Sequence, residues 1–441
     1  MSRSTAVLIF VIAVVARVFA AAFLNPSKDT LLASAHHEHA SIAKNLAEGR
    51  GFRFNFFGDI ERPDFTSQQA PFVPATLAAS YAVFGVETRL ALWIVMALQI
   101  AAGAVACIAF ADAVSKLTNQ QSTARLTGIL VAVYPPLVAS TLHLQALPWN
   151  VLWISLMLSG AARIHAAAGR GTIILAVGAI GGLYTDPILV SVLGALSAWL
   201  FIVETRSSLL PILRVGVVTA LALAPWIVRN NEVHGRFEFV KNSLPYVFWQ
   251  GNTLLSAGTD KLPIDRLPTS ENLGSITAAD AARRQSRSVN DVALSVNDLH
   301  ELAALPNEAT RMDWFGRRIR SELSANPFHY PRMCLVRLKH WLWFDSTNPK
   351  SFIPAYRLSY LFLAATAVLG LIFRPQRFGP LLVVALALTS VHILVITSAR
   401  FRVCFEFLML PLAAHSICQI RLLVPRGLSH GWLPKPFRNP A

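Results

Sequence analysis

Three histidines and a glutamate occupy consecutive positions, His36-His37-Glu38-His39. A carboxylate within hydrogen-bond reach can take the proton from an attacking hydroxyl, and imidazoles can contact a substrate or hold a metal. Neighbouring residues of a short helix point in different directions, so one ion would meet at most two of the four. Two readings stand side by side: a polar helix start facing water, or a site with Glu38 as its carboxylate and His37 and His39 as substrate contacts. No metal or other cofactor is expected.

A second group is cationic. Arg400 and Arg402 flank Phe401 where a long apolar segment begins. Guanidinium groups bind phosphate through paired N–H donors, so these arginines suit an anion at membrane-headgroup depth. They suit simple interface anchoring equally. Glu406 lies four residues beyond Arg402, the spacing at which a helical ion pair forms. Arg229 ends another apolar segment in Ala224-Pro225-Trp226-Ile227-Val228-Arg229-Asn230. Asp186, in the tight turn Thr185-Asp186-Pro187, either pairs with one of these arginines or sits in water.

The elements that position these groups are set by lipid. Of the 441 residues, 54% are hydrophobic and 14% charged, and mean hydropathy is +0.49. Soluble domains carry roughly 25% charged residues, too many more for this chain to cover itself in water. The net charge of +15 belongs with cytoplasmic loops and anionic lipid rather than with nucleic acid, for which no motif is present. Cys107, Cys334, Cys404 and Cys418 are scattered and read as small hydrophobes.

Candidate spans are 5–24, 90–111, 126–142, 147–164, 171–186, 188–203, 209–227, 353–373, 379–397 and 402–420. The expected fold is an all-α integral membrane protein of about ten transmembrane helices. Segment 71–85 is apolar but short. If it lies in the outer interface, then Arg3, Lys116, Arg125, Arg163, Arg170, Arg206, Arg374, Arg377 and the C-terminal Arg421, Arg426, Lys435 and Arg438 all fall on the inner side. That obeys the positive-inside rule. The expectation is therefore a multi-pass inner-membrane protein with both termini cytoplasmic. Arg17, late in the first span, is expected to snorkel to the outer interface.

Two large segments then face outward, 25–89 and 229–350. The chain divides into a module over 1–228, an extracytoplasmic region over 229–350 and C-terminal helices with a short tail over 351–441. In the first outer loop a short helix is expected over Glu38–Glu48, stopped by Gly49-Arg50-Gly51. In the second, 253–310 reads as a flexible polar insert. Met312, Phe315, Ile319 and Leu323 predict a helix ending before Asn326-Pro327. Pro331 to Phe344 mixes Arg332, Arg337, Lys339 and His340 with Trp341 and Trp343, as an interfacial helix would.

Taken in order, these segments resemble the GT-C superfamily of membrane glycosyltransferases, in particular the protein O-mannosyltransferase, aminoarabinose transferase and lipopolysaccharide sugar transferase type. The resemblance rests on residues 38–52, Ala70-Pro71-Phe72-Val73-Pro74, Phe84-Gly85, Tyr134-Pro135-Pro136, Ala224-Pro225-Trp226 through Arg229-Asn230, Trp249-Gln250-Gly251-Asn252, and Ala399-Arg400-Phe401-Arg402 with Glu406. It implies a polyprenyl-phosphate sugar donor, an extracytoplasmic acceptor (lipid, glycan or protein) and an active site outside the membrane. It further implies inverting displacement, with an acidic residue of the first outer loop as base. Glu38 would be that acid, because Ser34, Ala35 and His36 stand where the family usually has an aspartate. Arg229, Arg400 and Arg402 would bind the donor phosphate, and His37, His39, Asn252 and Asp186 the substrates. The turn His143-Leu144-Gln145-Ala146-Leu147-Pro148 has no carboxylate, although the family often has a second acid there. The alternative implied is a GT-C-like protein that binds the lipid carrier, or assists envelope assembly, without turnover.

Overall fold

A computed structural model describes residues 1–34, 36–55, 57, 63–204, 206–260, 294–345, 347–373 and 378–423. The described chain is helical, with isolated bridges at Arg53–Phe65 and Thr259–Thr397. The helices are α1 (Arg3–Leu24), α2 (Lys28–Ser34), α3 (His36–Ala47), α4 (Phe72–Phe84), α5 (Arg89–Thr118), α6 (Gln121–Val133), α7 (Pro135–Ser140), α8 (Ala146–His165), α9 (Gly171–Thr185) and α10 (Val190–Glu204). After them come α11 (Arg206–His234), α12 (Leu244–Asn252), α13 (Val296–Ala304), α14 (Glu308–Ala325), α15 (His329–Leu342), α16 (Pro354–Ile372), α17 (Gly379–Leu394) and α18 (Ala399–Leu423).

Six of the described helical segments are long and apolar enough to cross a membrane: Arg3–Leu24, Arg89–Thr118, Pro187–Glu204, Ser207–His234, Pro354–Ile372 and Ala399–Arg421. Helices α4, α9 and α17 are shorter and apolar. The chain is an all-α membrane protein, as its charge scarcity requires. Large side chains such as Phe19, Phe23, Ile202, Leu221 and Ile372 remain exposed on the spans. In hydrocarbon such surface carries no penalty.

Close helix approach rests on small residues. A Cβ on Gly178 of α9 would sit 2.8 Å from the Met157 nitrogen of α8, so only glycine lets these backbones meet. The expected span over 126–142 is broken at Tyr134, because Pro135 and Pro136 cannot continue the helix. Arg17 does not snorkel. It is 2% exposed, and Nη1 donates to the carbonyls of Ala13 and Ala132 at 3.1 Å each. Ala132 belongs to the last turn of α6, where carbonyls lack helical partners and a cation is favoured. An unsatisfied end inside the membrane explains the inward turn.

The segment expected over 229–350 has its own small core. Tyr246, Trp249, Leu294, Leu302, Met312, Trp314, Phe315 and Ile319 pack with Phe57 of the first loop. Part of the insert expected over 253–310 is therefore structured: α13 begins with a capping box of Ser295 and Asp298. Residues 261–293 of that insert lie outside the described residues, as do Arg374, Arg377, Arg426, Lys435 and Arg438. Helix α14 ends at Ala325, before Asn326-Pro327, and α15 covers most of the expected interfacial helix.

Candidate active site

Helix α3 starts at His36 and runs to Ala47, followed by Gly49 and Gly51 at φ +76° and +86°. These left-handed positions favour glycine and turn the chain back. Glu38 sits in the first turn, where a negative charge meets the positive end of the helix dipole. Gln69 donates from Nε2 to its carboxylate. Next to it His39 is buried, at 7% exposure. Burial first, then the nearby charges of Lys241 and Arg400, lower its pKa to about 3. His39 is therefore a neutral imidazole at physiological pH, set in a field of two cations. His36 and His37 lie on the same turn, and the side chain of His37 lies outside what is described.

Arg400, on the first turn of α18, is 35% exposed, and Asp260 Oδ2 lies 3.9 Å from its Nη2. Its ring neighbour is Phe401, which stacks on His392 at 4.9 Å. His39 thus lies within the field of Lys241 and Arg400, Arg400 faces Asp260, and Glu38, one position before His39 on α3, is held by Gln69.

Arg402 turns the other way. Its Nε lies 2.9 Å from Glu406 Oε1, and Nη2 donates to the Tyr356 hydroxyl at 2.8 Å. The Tyr134 hydroxyl donates to Glu406 Oε2 at 2.8 Å. Tyr360 lies 4.2 Å below the guanidinium, with Phe344 and Tyr356 at 5.3 Å. The i,i+4 pair expected from sequence is present, 2% and 0% exposed, and it locks α18 to the α6–α7 break and to α16.

Arg229 also spends its donors inside the protein. Nη1 reaches the Thr66 carbonyl at 2.7 Å and Ser67 Oγ at 3.0 Å, and Nη2 reaches the Phe52 carbonyl at 3.2 Å. It borders a buried polar hub. Glu308 accepts from Thr66 Oγ1, from the Ser67 backbone N–H at 2.8 Å and from Asn242 Nδ2 at 2.6 Å. Burial pushes the Glu308 carboxyl up despite those three bonds and the charge of Arg229. Ser67 Oγ also meets Asn230 Oδ1 and His234 Nε2 at 2.8 Å. The hub ties residues 66–67, Asn242, Glu308 and the end of α11 together.

Asp186 caps the turn before α10. Its oxygens lie 3.5 Å from the Ile188 nitrogen and from Asn150 Nδ2, and among the described residues it makes no ion pair with an arginine. Asn252 is fully buried: Nδ2 donates to the carbonyls of Phe248 and Val395, and Oδ1 accepts from Arg337 at 3.0 Å. Sequence reasoning singled out neither Lys241, Gln69, Asp260 nor the Glu308 hub. The polar run Thr66-Ser67-Gln68-Gln69, set just before an apolar helix, was the available signal. Among the described residues no three His, Cys, Asp or Glu side chains gather as a metal-binding group.

No family model matches the sequence, and no curated protein matches it. The fold has solved counterparts. One is the archaeal oligosaccharyltransferase AglB from Archaeoglobus fulgidus, in complex with an inhibitory peptide and a dolichol-phosphate. It matches 95% of this chain at TM-score 0.55 and 13% identity. Another is the Archaeoglobus fulgidus oligosaccharyltransferase in complex with Zn and sulfate, matching 94% of the chain at TM-score 0.53 and 12% identity. The chain shares its overall fold with these two enzymes. The chain spans about half the length of these enzymes, 50% and 49% respectively. At such low identity the likeness carries the architecture, and the site rests on the residues described above.

Proposed function

We propose that this chain is a membrane glycosyltransferase that moves a sugar from a polyprenyl-phosphate donor to an extracytoplasmic acceptor. The observation that carries the reading is the buried His39, next in sequence to Glu38 on α3 and within the field of the cations Lys241 and Arg400. Catalysis of this transfer needs a carboxylate and a phosphate-binding cation on one face. The GT-C fold supplies the setting, and the dolichol-phosphate held by the AglB neighbour supports the donor class. The peptide in that complex supports a peptide as one acceptor class among lipid, glycan and protein.

In the proposed reaction the acceptor hydroxyl attacks the anomeric carbon. Its proton goes to Glu38 as the new C–O bond forms. The bond to the phosphate oxygen breaks, and the electron pair stays on the phosphate, where Arg400 and Lys241 stabilise it. Attack opposite the leaving group inverts the anomeric centre. Gln69 orients Glu38, and His39 and Asp186 line the approach. In this reading Arg402, Arg229 and Asn252 shape the site from behind, since each is hydrogen-bonded within the protein. The same reading has about ten spans, both termini cytoplasmic, and a site built from the 1–228 module, the 229–350 region and the start of the last span.

A second reading, a protein that binds the lipid carrier without turnover, is favoured by one observation: residues 143–148 supply no second acid. Mass spectrometry of lipid retained by the purified protein tests the donor class. A polyprenyl-phosphate-sugar, depleted in Arg400→Ala, is the expected result. Recovery of ordinary phospholipid alone, with no uptake of added polyprenyl phosphate, overturns both readings. Uptake with no sugar transfer to any acceptor leaves the second.

A further inference from the structure

Arg337 is fully buried on α15, and among the described residues it makes no ion pair with a carboxylate. Its partners are the ends of two other helices. Nε donates to the carbonyl of Ile393, in the last turn of α17, and Nη1 donates to the carbonyl of Gly251, in the last turn of α12, at 2.8 Å. Carbonyls in a last turn lack helical partners and carry the negative end of the dipole, so one guanidinium satisfies both. Nη1 also reaches Asn252 Oδ1 at 3.0 Å.

These contacts all bear on the segment that joins α17 to α18. Asn252 passes the connection on, donating from Nδ2 to the Val395 carbonyl at 3.2 Å. A Cβ on Gly251 would collide with that same carbonyl oxygen, so the approach depends on glycine. Gly258, at φ +79°, packs on the Arg337 stem and accepts from the Thr397 backbone N–H at 3.3 Å. Ser398 Oγ then accepts from the Arg400 backbone N–H at 3.3 Å, and Asp260 faces the Arg400 guanidinium. The four residues before α18 are hung from the second outer segment, with Arg337 at the centre of the attachment.

We propose that Arg337 is a positioning residue: it clamps residues 395–398 to the second outer segment and so fixes where Arg400 presents its charge. The inference rests on the reading of Arg400 as the phosphate-binding cation. It assigns the second outer segment a part in donor recognition, through a residue that never touches the donor. Lysine cannot replace Arg337, because a single ammonium does not span two helix ends in a planar fork.

The test uses the full-length protein in detergent, with Arg337→Lys and the milder Asn252→Ala. Backbone hydrogen exchange reports local opening, and farnesyl phosphate serves as the probe of binding. The expected result is exchange about tenfold faster across 395–400 with α8 and α9 unchanged, and an affinity about tenfold weaker, the loss of roughly one good hydrogen bond. Unchanged exchange across 395–400 in both variants overturns the clamp. So does acceleration spread over the whole molecule, which marks an ordinary stabilising contact. Arg400→Ala separates the two claims. If it binds farnesyl phosphate as well as wild type, the phosphate reading fails, while the exchange data still decide the clamp.

Discussion

Arg400 and Arg402 lie on the same turn of α18 and differ in nearly every physical respect. Arg402 has a carboxylate at 2.9 Å, a tyrosine hydroxyl at 2.8 Å and three aromatic rings around it. Arg400 has an acid at 3.9 Å and keeps about a third of its side-chain surface in water. A buried guanidinium held by a carboxylate, a hydroxyl and stacked rings holds helices together. One that keeps part of its surface in water can meet a phosphate. Sequence alone treats the two arginines as equals, because both begin the same apolar segment. The difference comes from Glu406, Tyr356 and Tyr360, which surround the Arg402 guanidinium.

The largest effect is expected at the buried pair. Arg402→Met strands the Glu406 carboxylate in the membrane interior, at a cost of about 3–5 kcal/mol. Thermal unfolding in detergent should show a large drop in Tm, and Glu406→Leu added to it should restore much of the loss. A simple additive loss in the double variant would break the contrast, since the pair would then not be a unit.

Acid should act next. His39 has its pKa lowered from 6.5 to about 3 in the folded protein. Below pH 6.5 the unfolded chain takes up a proton that the folded chain refuses. Stability therefore falls as pH falls through this window, by at most about 1.4 kcal/mol per pH unit for one proton. The loss is complete near pH 3. Tm measured from pH 7 to 5 should decline less steeply in His39→Asn. An identical slope would remove His39 from the account.

Stability should change least at Arg400. Its partly exposed pair with Asp260 is worth under about 1 kcal/mol, so Arg400→Ala should leave Tm nearly unmoved while weakening polyprenyl-phosphate binding about tenfold. A large fall in Tm would make Arg400 a second Arg402.

Local features were the legible ones. The α3 helix and its glycine stop, the α14 periodicity ending before Pro327, and the Arg402–Glu406 spacing all follow from neighbours within a few residues. The membrane class followed from charge scarcity, and the GT-C likeness from the order of the motifs. Contacts set by distant partners were not legible. Arg17 was expected at the interface because nothing nearby in sequence shows that the end of α6 lacks a cap. Thr66 and Ser67 meet Glu308 across 242 and 241 positions, and no periodicity records such a meeting. Arg337 looked like one more basic residue of an interfacial helix, although it is fully buried.

The most direct test of the proposed activity is sugar transfer by reconstituted protein supplied with a polyprenyl-phosphate-sugar, comparing wild type with Glu38→Gln. Removing a general base costs about 10²–10⁴-fold in rate. The expected outcome is transfer by wild type, and transfer reduced by that factor in Glu38→Gln with Tm and donor binding unchanged. Equal transfer by the two proteins would contradict the assignment of Glu38 as the base.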